Sequence, residues 1–150
     1  KYLRNAVWDT PVRTLRGYAS NVKQLCGPGY ALLGNAGEFL DPVFSSGVTI
    51  AMTSSSLAAK CARRQLAGET VDWNADYAVP LKAGVDTFRA FVEAWYRGGF
   101  QNIIFHETPD PEIRKKICAI LAGYAWNKQN PYVAEPRRVT VLEQICAPPA

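Results

Sequence analysis

The chain lacks the markers of several common functional classes. Its four cysteines lie far apart in sequence, so no CxxC pair indicates a zinc or dithiol redox site, and no disulfide framework is indicated. Cys61 and Cys118 lie among apolar residues and are predicted to be buried free thiols. No apolar run is long enough for a membrane span and no signal peptide is recognised, which predicts a soluble, cytoplasmic protein. The spacing of the cysteines predicts that the chain has no metal site.

Charge of one sign is only mildly in excess. The 17 Lys and Arg residues exceed the 13 Asp and Glu residues, giving a net charge of +4. The basic residues cluster only at 114–116 and 137–138, where a solvated helix face explains them more simply than nucleic-acid binding does. We therefore predict no nucleic-acid partner, and the 48% hydrophobic content indicates a globular chain.

Short strands are predicted only near the start of the chain. Residues 12–20 alternate loosely in polarity, Gly27–Gly29 is typical of a turn, and the apolar run Tyr30–Leu33 predicts a buried strand ending at Gly34. Two short strands make a poor sheet alone. The chain is therefore expected to be one part of a larger fold.

Helices dominate the remainder. A helix rich in small residues is predicted from Ser46 to Leu66, with Gly68 as its stop signal. Pro80 should kink or split the next helix, which Gly98-Gly99 should end. That helix carries one apolar stripe, predicted to be core: Trp73, Tyr77, Leu81, Val85, Phe88, Val92 and Trp95.

The last third contains further helix signals. Asp110-Pro111 predicts a helix start, since Asp is a good N-cap and Pro suits the first helical position, and this helix should stop near Gly123. Asn130-Pro131 indicates a loop, and Val139–Cys146 is predicted to be a short helix or strand.

The stretch between the second strand and the first long helix is the candidate site. A helix N-terminus presents unpaired N–H groups and binds anions. Gly47 would let a ligand approach the backbone, Ser45 and Ser46 could cap the helix or donate to a ligand, and Asn35 could hydrogen-bond a ribityl or ribose hydroxyl.

The order of residues from Gly34 to Ala51 is more specific. It resembles the pattern GDAAxFxDPxxSxGxxxA, the second FAD-contacting motif of flavin-dependent halogenases and related class A flavoprotein monooxygenases. The matching residues are Gly34, Asn35, Ala36, Phe39, Asp41, Pro42, Ser45, Gly47 and Ala51. The segments at 98–100, 118–126 and 130–133 also look like the C-terminal region of halogenase-like flavin dehydrogenases.

The resemblance implies roles for individual positions. Asn35 takes the place of an Asp that contacts the ribityl chain, and Asp41-Pro42 fits the turn beside the pyrophosphate and isoalloxazine. Ser46 and Gly47 fall where halogenases bind chloride, and Phe44 replaces a Glu of tryptophan halogenases. The predicted FAD-binding residues are Gly34, Asn35, Ala36, Asp41, Pro42, Ser45, Ser46, Gly47 and Val48.

The resemblance also implies a fold and what the chain leaves out. We expect an α/β but mostly helical chain, with residues 1–68 as the C-terminal part of a Rossmann-like FAD/NAD(P)-binding fold and residues 69–150 as a helical extension. No GxGxxG turn and no WxWxIP segment is present. The catalytic residues are not identified, and activity should require upstream regions of the same protein and a small-molecule substrate.

Three functions remain open at this point. The first is an FAD-dependent monooxygenase, halogenase or halogenase-like dehydrogenase, the second a double-bond reductase of the geranylgeranyl-reductase type, and the third a helical interaction module that binds no flavin. His106 is given no role, and acidic residues 72, 76 and 86 are assigned to a solvated helix face. Tyr96 and Phe100 are candidates to cover a substrate pocket.

Overall fold

The computed structural model describes residues 4–147 except 8, 15, 18 and 109. These described residues form four two-residue strands and six α-helices. The strands are β1 (Ser20–Asn21), β2 (Cys26–Gly27), β3 (Tyr30–Ala31) and β4 (Glu38–Phe39). The helices are α1 (Gly47–Leu66), α2 (Val79–Arg97), α3 (Gly99–Ile104), α4 (Pro111–Leu121), α5 (Pro131–Ala134) and α6 (Arg138–Ile145).

The strands are shorter than predicted and form two separate antiparallel pairs. β1 pairs with β4, and β2 pairs with β3 across the turn at Pro28-Gly29. Of the predicted strand at 12–20, only Ser20 is in a strand, and positions 15 and 18 lie outside the described residues. The strand predicted over Tyr30–Leu33 is present only at Tyr30–Ala31, and the prediction that it is buried is wrong, because it lies in an open hairpin and Tyr30 is 44% exposed.

Helix α1 confirms the predicted boundaries. It runs from Gly47 to Leu66, and Gly68 follows with a φ of +88°, a backbone angle that glycine adopts without strain. Its small residues on one side allow close packing, with Ser54 and Ala58 buried beside Ile50 and Cys61. The chain is thus mostly helical with few strands, as expected.

The second long helix is irregular next to Pro80, which lies in the first turn of α2. A π-helical segment, Asn74–Ala78, leads directly into α2, so the irregularity lies before Pro80. Gly98 ends α2 in the left-handed conformation, as predicted. The predicted stripe is largely core: Tyr77, Leu81, Val85 and Phe88 are at most 1% exposed, whereas Trp73, Val92 and Trp95 are half-buried.

The C-terminal helices pack against this core. Asp110 caps α4 by accepting hydrogen bonds from the N–H groups of Glu112 and Ile113, as its position predicts. Asn130 caps α5, so the predicted loop is a helix start. Residues 138–145 form the helix α6.

The prediction that Cys118 is buried is wrong. Cys61 is buried, as predicted, but Cys118 is exposed because α4 presents Ile117 and Ile120 to the core instead. Within the described ranges, no helix combines the length and the apolar character that crossing a membrane requires.

Candidate functional site

Gly34 fixes the start of the candidate loop against α1. Its N–H donates to Ser54 Oγ over 2.9 Å, and a Cβ added at this glycine would lie 3.2 Å from Ala51 Cβ. Its φ of +53° also favours glycine. The 3-10 turn Gly34–Ala36 is therefore held on the helix by backbone contact that a side chain would disturb.

The segment leading into this turn is anchored by Tyr77. Its fully buried phenol donates a hydrogen bond to the carbonyl of Leu32. Burial, with a smaller contribution from the nearby thiols of Cys26 and Cys61, raises the pKa of Tyr77 to about 12. The phenol therefore stays protonated as a donor over the whole neutral range.

Both carboxylate oxygens of Asp41 accept hydrogen bonds from groups of the same chain. It is 8% exposed, one oxygen accepts the N–H of Val43 over 2.8 Å, and the other accepts the hydroxyl of Tyr96 over 2.7 Å. These bonds shape the 3-10 turn Pro42–Phe44, which Asp41 caps. The residue therefore determines the path of the chain into α1.

The entry to α1 leaves backbone donors unpaired. Ser46 is the N-cap residue but makes no side-chain capping bond, because its backbone is helical (φ −73°, ψ −14°) rather than extended. The helical ladder begins with the bond from Ile50 N–H to the Ser46 carbonyl. Among the described residues, none accepts a hydrogen bond from the N–H groups at positions 47–49.

Ser45 turns the chain into that helix start with a strained backbone. It has a φ of +51° and a ψ of +34°, the only positive φ among the described residues other than glycine. Such a conformation costs on the order of 1–3 kcal/mol for a residue with a Cβ and is concentrated at functional sites. Sequence reasoning did not foresee this strain.

Asn35 lies beside Gly47. A Cβ placed on Gly47 would lie 3.6 Å from Asn35 Oδ1, so the amide group and the open helix start share one surface. Ala36, Pro42 and Val48 of the same segment are also exposed. Of the predicted residues, the buried ones are Gly34, Asp41 and Ser46, and the exposed or half-buried ones are Asn35, Ala36, Pro42, Ser45, Gly47 and Val48.

The aromatic residues near the loop differ from the expectation. Phe100 is fully buried and packs edge-to-face with Phe44, Phe91 and Trp95, so it belongs to the core and does not cover a pocket. Tyr96 is 66% exposed but is tethered to Asp41 through its hydroxyl. Phe44 likewise turns into this aromatic cluster.

Sequence reasoning missed the buried carboxylate of Glu38. It is 2% exposed, pairs with Arg89 over 2.8 Å and lies 3.9 Å from Lys82 Nζ. Its neighbours come from α2, about fifty residues along the chain, so no local pattern could have indicated them. This ion pair holds β4 of the loop on α2.

The other candidate residues have structural partners. Asp72 caps the N–H groups of residues 74 and 75, Asp76 pairs with Arg64, and Asp86 pairs with Lys82. His106 is exposed and accepts the N–H of Thr108. Over the described ranges, no cluster of three or more His, Cys, Asp or Glu side chains could hold a metal ion.

Comparison of the sequence with known proteins points to flavin-dependent enzymes. No family model matches the chain. It is 27% identical over 131 residues to a 1H-pyrrole-2-carbonyl-[peptidyl-carrier protein] chlorinase of Pseudomonas fluorescens, covering 85% of this chain and 28% of the relative. It is 42% identical over 67 residues to a tryptophan 2-halogenase of Chondromyces crocatus, covering 45% of this chain and 13% of the relative.

Comparison of the structure agrees. A flavoprotein/dehydrogenase from Cytophaga hutchinsonii superimposes with a TM-score of 0.83 and 44% identity, over 87% of this chain and 32% of that one. The predicted resemblance is therefore confirmed: the chain is related to flavin-dependent halogenases and to a flavoprotein dehydrogenase. It spans less than a third of the length of the chlorinase and about a third of the length of the solved structure.

Proposed function

We propose that this chain is part of an FAD-dependent oxidoreductase and supplies the surface formed by residues 34–48. The observation that carries the proposal is the helix start of α1, which combines unpaired backbone N–H groups, Gly47 and the adjacent Asn35 amide. The chain is similar to a chlorinase over 85% of its length and to a flavoprotein/dehydrogenase over 87% of its length, and this similarity supports FAD as the cofactor.

The exposed and half-buried residues would contact the flavin. Asn35 would hydrogen-bond the ribityl chain, and the amides at Gly47 and Val48 would face the pyrimidine edge, where the positive helix end favours negative charge. FAD, when bound, supplies the redox chemistry. Asp41 would act by shaping the turn and Gly34 by seating it on α1.

The start of α1 could also bind a halide. Backbone N–H groups at Ser46 and Gly47 are the proposed chloride donors, by the resemblance to halogenases. Phe44 occupies the position of the tryptophan-halogenase Glu and packs against Trp95 and Phe100, so it offers no carboxylate to a substrate. This favours a phenolic-substrate halogenase or a dehydrogenase.

Flavin binding by the purified full-length protein is the first test. A bound oxidised flavin absorbs in the visible region, and this absorbance should elute together with the protein in gel filtration. A protein that stays colourless after incubation with FAD would contradict the proposal and favour the interaction module. We further propose that activity needs a phosphate-binding turn and catalytic groups that these 150 residues do not include.

Gly47 offers a sharper variant. A Cβ here meets Asn35 Oδ1 at an ordinary contact distance of 3.6 Å, so Gly47→Ala should fold normally. A flavin lying against this backbone would be displaced, and FAD affinity should fall at least about tenfold. Ser56→Ala, at an exposed position of the same helix, is the matched control.

Chloride separates the candidate reactions. With substrate, oxygen and a flavin reductase supplied, a halogenase forms a chlorinated product only when chloride is present. Turnover that is independent of chloride would favour the dehydrogenase, in line with the solved flavoprotein/dehydrogenase. Reduction of a substrate double bond without halide would favour the reductase.

A further inference from the structure

A groove between α3, α4 and α6 lies apart from the candidate flavin surface. Its volume is about 370 Å³, and none of residues 34–48 lines it. Ile103, Ile117 and Leu142 form its buried part and are 7%, 2% and 7% exposed. Ile104 and Ile145 lie at its open side with 39% and 72% of their surfaces exposed. Apolar surface is thus left in contact with water around a concave site.

Charge is present among the lining residues of this groove. The polar residues of the lining are His106, Thr108, Asp110 and Arg114. The Asp110 carboxylate accepts the backbone N–H groups that start α4, so one of its oxygens is already used. Arg114 lies one helical turn further on, and among the described residues no carboxylate comes within ion-pair distance of its guanidinium.

We propose that this groove binds a small apolar carboxylic acid. The hydrocarbon part would lie between the isoleucines of α3 and α4 and Leu142 of α6, and the carboxylate would pair with Arg114. The volume falls in the range of small-molecule sites, which are mostly apolar with a few polar groups that set orientation. Arg recognises a planar carboxylate through two parallel hydrogen bonds, which favours an acid over an alcohol or an amine.

Cys118 provides a direct readout because its exposed thiol lines the groove. The purified protein is labelled with a maleimide, with and without decanoate or 2-naphthoate, and each cysteine is followed by mass spectrometry. A bound acid should slow labelling of Cys118 saturably, by about tenfold at high occupancy. Labelling of Cys26, which does not line the groove, should not change.

Substitutions test the carboxylate contact. Decanoate should bind about tenfold more tightly than decanol, and Arg114→Gln should remove that preference while leaving decanol binding unchanged. Lys115→Gln, at the exposed neighbouring position outside the lining, should keep the preference. Protection of Cys118 by both decanoate and 2-naphthoate would support a site that accepts aliphatic and aromatic carboxylic acids alike. Protection by only one of the two would identify the class of acid that the groove binds.

Three results would overturn the proposal. The first is equal binding of decanoate and decanol to the unsubstituted protein. The second is unprotected Cys118 at millimolar acid. The third is a dimer, detected by light scattering, in which Cys118 is protected without any ligand, because a second copy would then occupy the groove.

Discussion

At the scale of single residues, the buried carboxylate of Glu38 is the most consequential partner of the candidate loop. The Glu38 side chain is only 2% exposed where it pairs with Arg89, whereas the Arg89 side chain is 30% exposed. Removing one partner of a buried pair leaves the other without compensation. The ion pair therefore contributes to how firmly the loop is held on α2.

Substitution of Glu38 by Gln should lower the free energy of unfolding by about 1–3 kcal/mol, less than for a fully buried pair because Arg89 remains partly hydrated. Urea denaturation monitored by circular dichroism measures this change. The control is Glu69→Gln, whose pair with Arg64 is exposed and should cost at most about 0.5 kcal/mol. Equal losses for both variants would show that the Glu38 pair has no special role.

Tyr77 gives the protein a pH-dependent stability in the alkaline range. The folded state holds the phenol proton more tightly than the unfolded chain, since its pKa rises from 10.0 to about 12. The stabilisation is complete below pH 10 and is lost as the pH rises from 10 towards 12, by about 2 kcal/mol in total.

Comparison with Tyr77→Phe isolates this contribution. The stability difference between the two proteins should shrink as the pH rises from 10 to 12, as measured by urea denaturation at each pH. Burial also raises the pKa of the Cys26 and Cys61 thiols, which adds a slope of the same sign in both proteins. A difference that does not change with pH would contradict the assignment.

At the scale of elements, local signals predicted helix ends and failed for strands. Asp110-Pro111, Gly68 and Gly98 act through their own backbone and neighbouring N–H groups, so their effect is readable in sequence. A strand depends on a partner elsewhere in the chain, and the predicted strand Tyr30–Leu33 has only a two-residue hairpin partner. The same reasoning explains the site: the motif indicated the loop, but the bond from Tyr96 to Asp41 spans 55 positions.

The packing of α2 against the α4–α5 connection depends on Gly84. A Cβ at this position would lie 2.0 Å from Cε2 of Trp126, whose indole N–H donates to the carbonyl of Pro80 over 2.8 Å. The indole therefore lies directly on the helix backbone. This close approach also explains why a glycine is found inside a long helix, where it ordinarily costs stability.

Gly84→Ala should destabilise the protein by about 1–3 kcal/mol, because overpacking outweighs the gain in helix propensity. The same change in a Trp126→Ala background should be neutral or stabilising by up to about 1 kcal/mol. A double-mutant cycle from chemical denaturation measures the coupling. If Gly84→Ala costs the same with and without the indole, the clash is not its cause.

At the scale of the whole molecule, one core joins the candidate loop to the C-terminal helices. Ile50 of α1, Phe88 of α2, Phe100 of α3 and Ile120 of α4 all belong to it. The opposite side of α1 is different, since Val48, Met52 and Leu66 are 71%, 70% and 89% exposed. Residues 48, 52, 55, 59 and 66 share this outer face, and none of them is charged.

Oxidation of Met52 can report whether that outer face is exposed to solvent, because Met52 is the sole methionine of the sequence. Mild peroxide converts an accessible thioether to the sulfoxide, so mass spectrometry of the peptide that contains Met52 should detect the addition of one oxygen atom when the face is open to solvent. If the rest of a flavoprotein fold covers α1, Met52 should resist this oxidation in the full-length protein. In a fragment limited to the 150 residues of this sequence, Met52 should be oxidised. Equal oxidation rates in both would mean that the outer face of α1 stays in water.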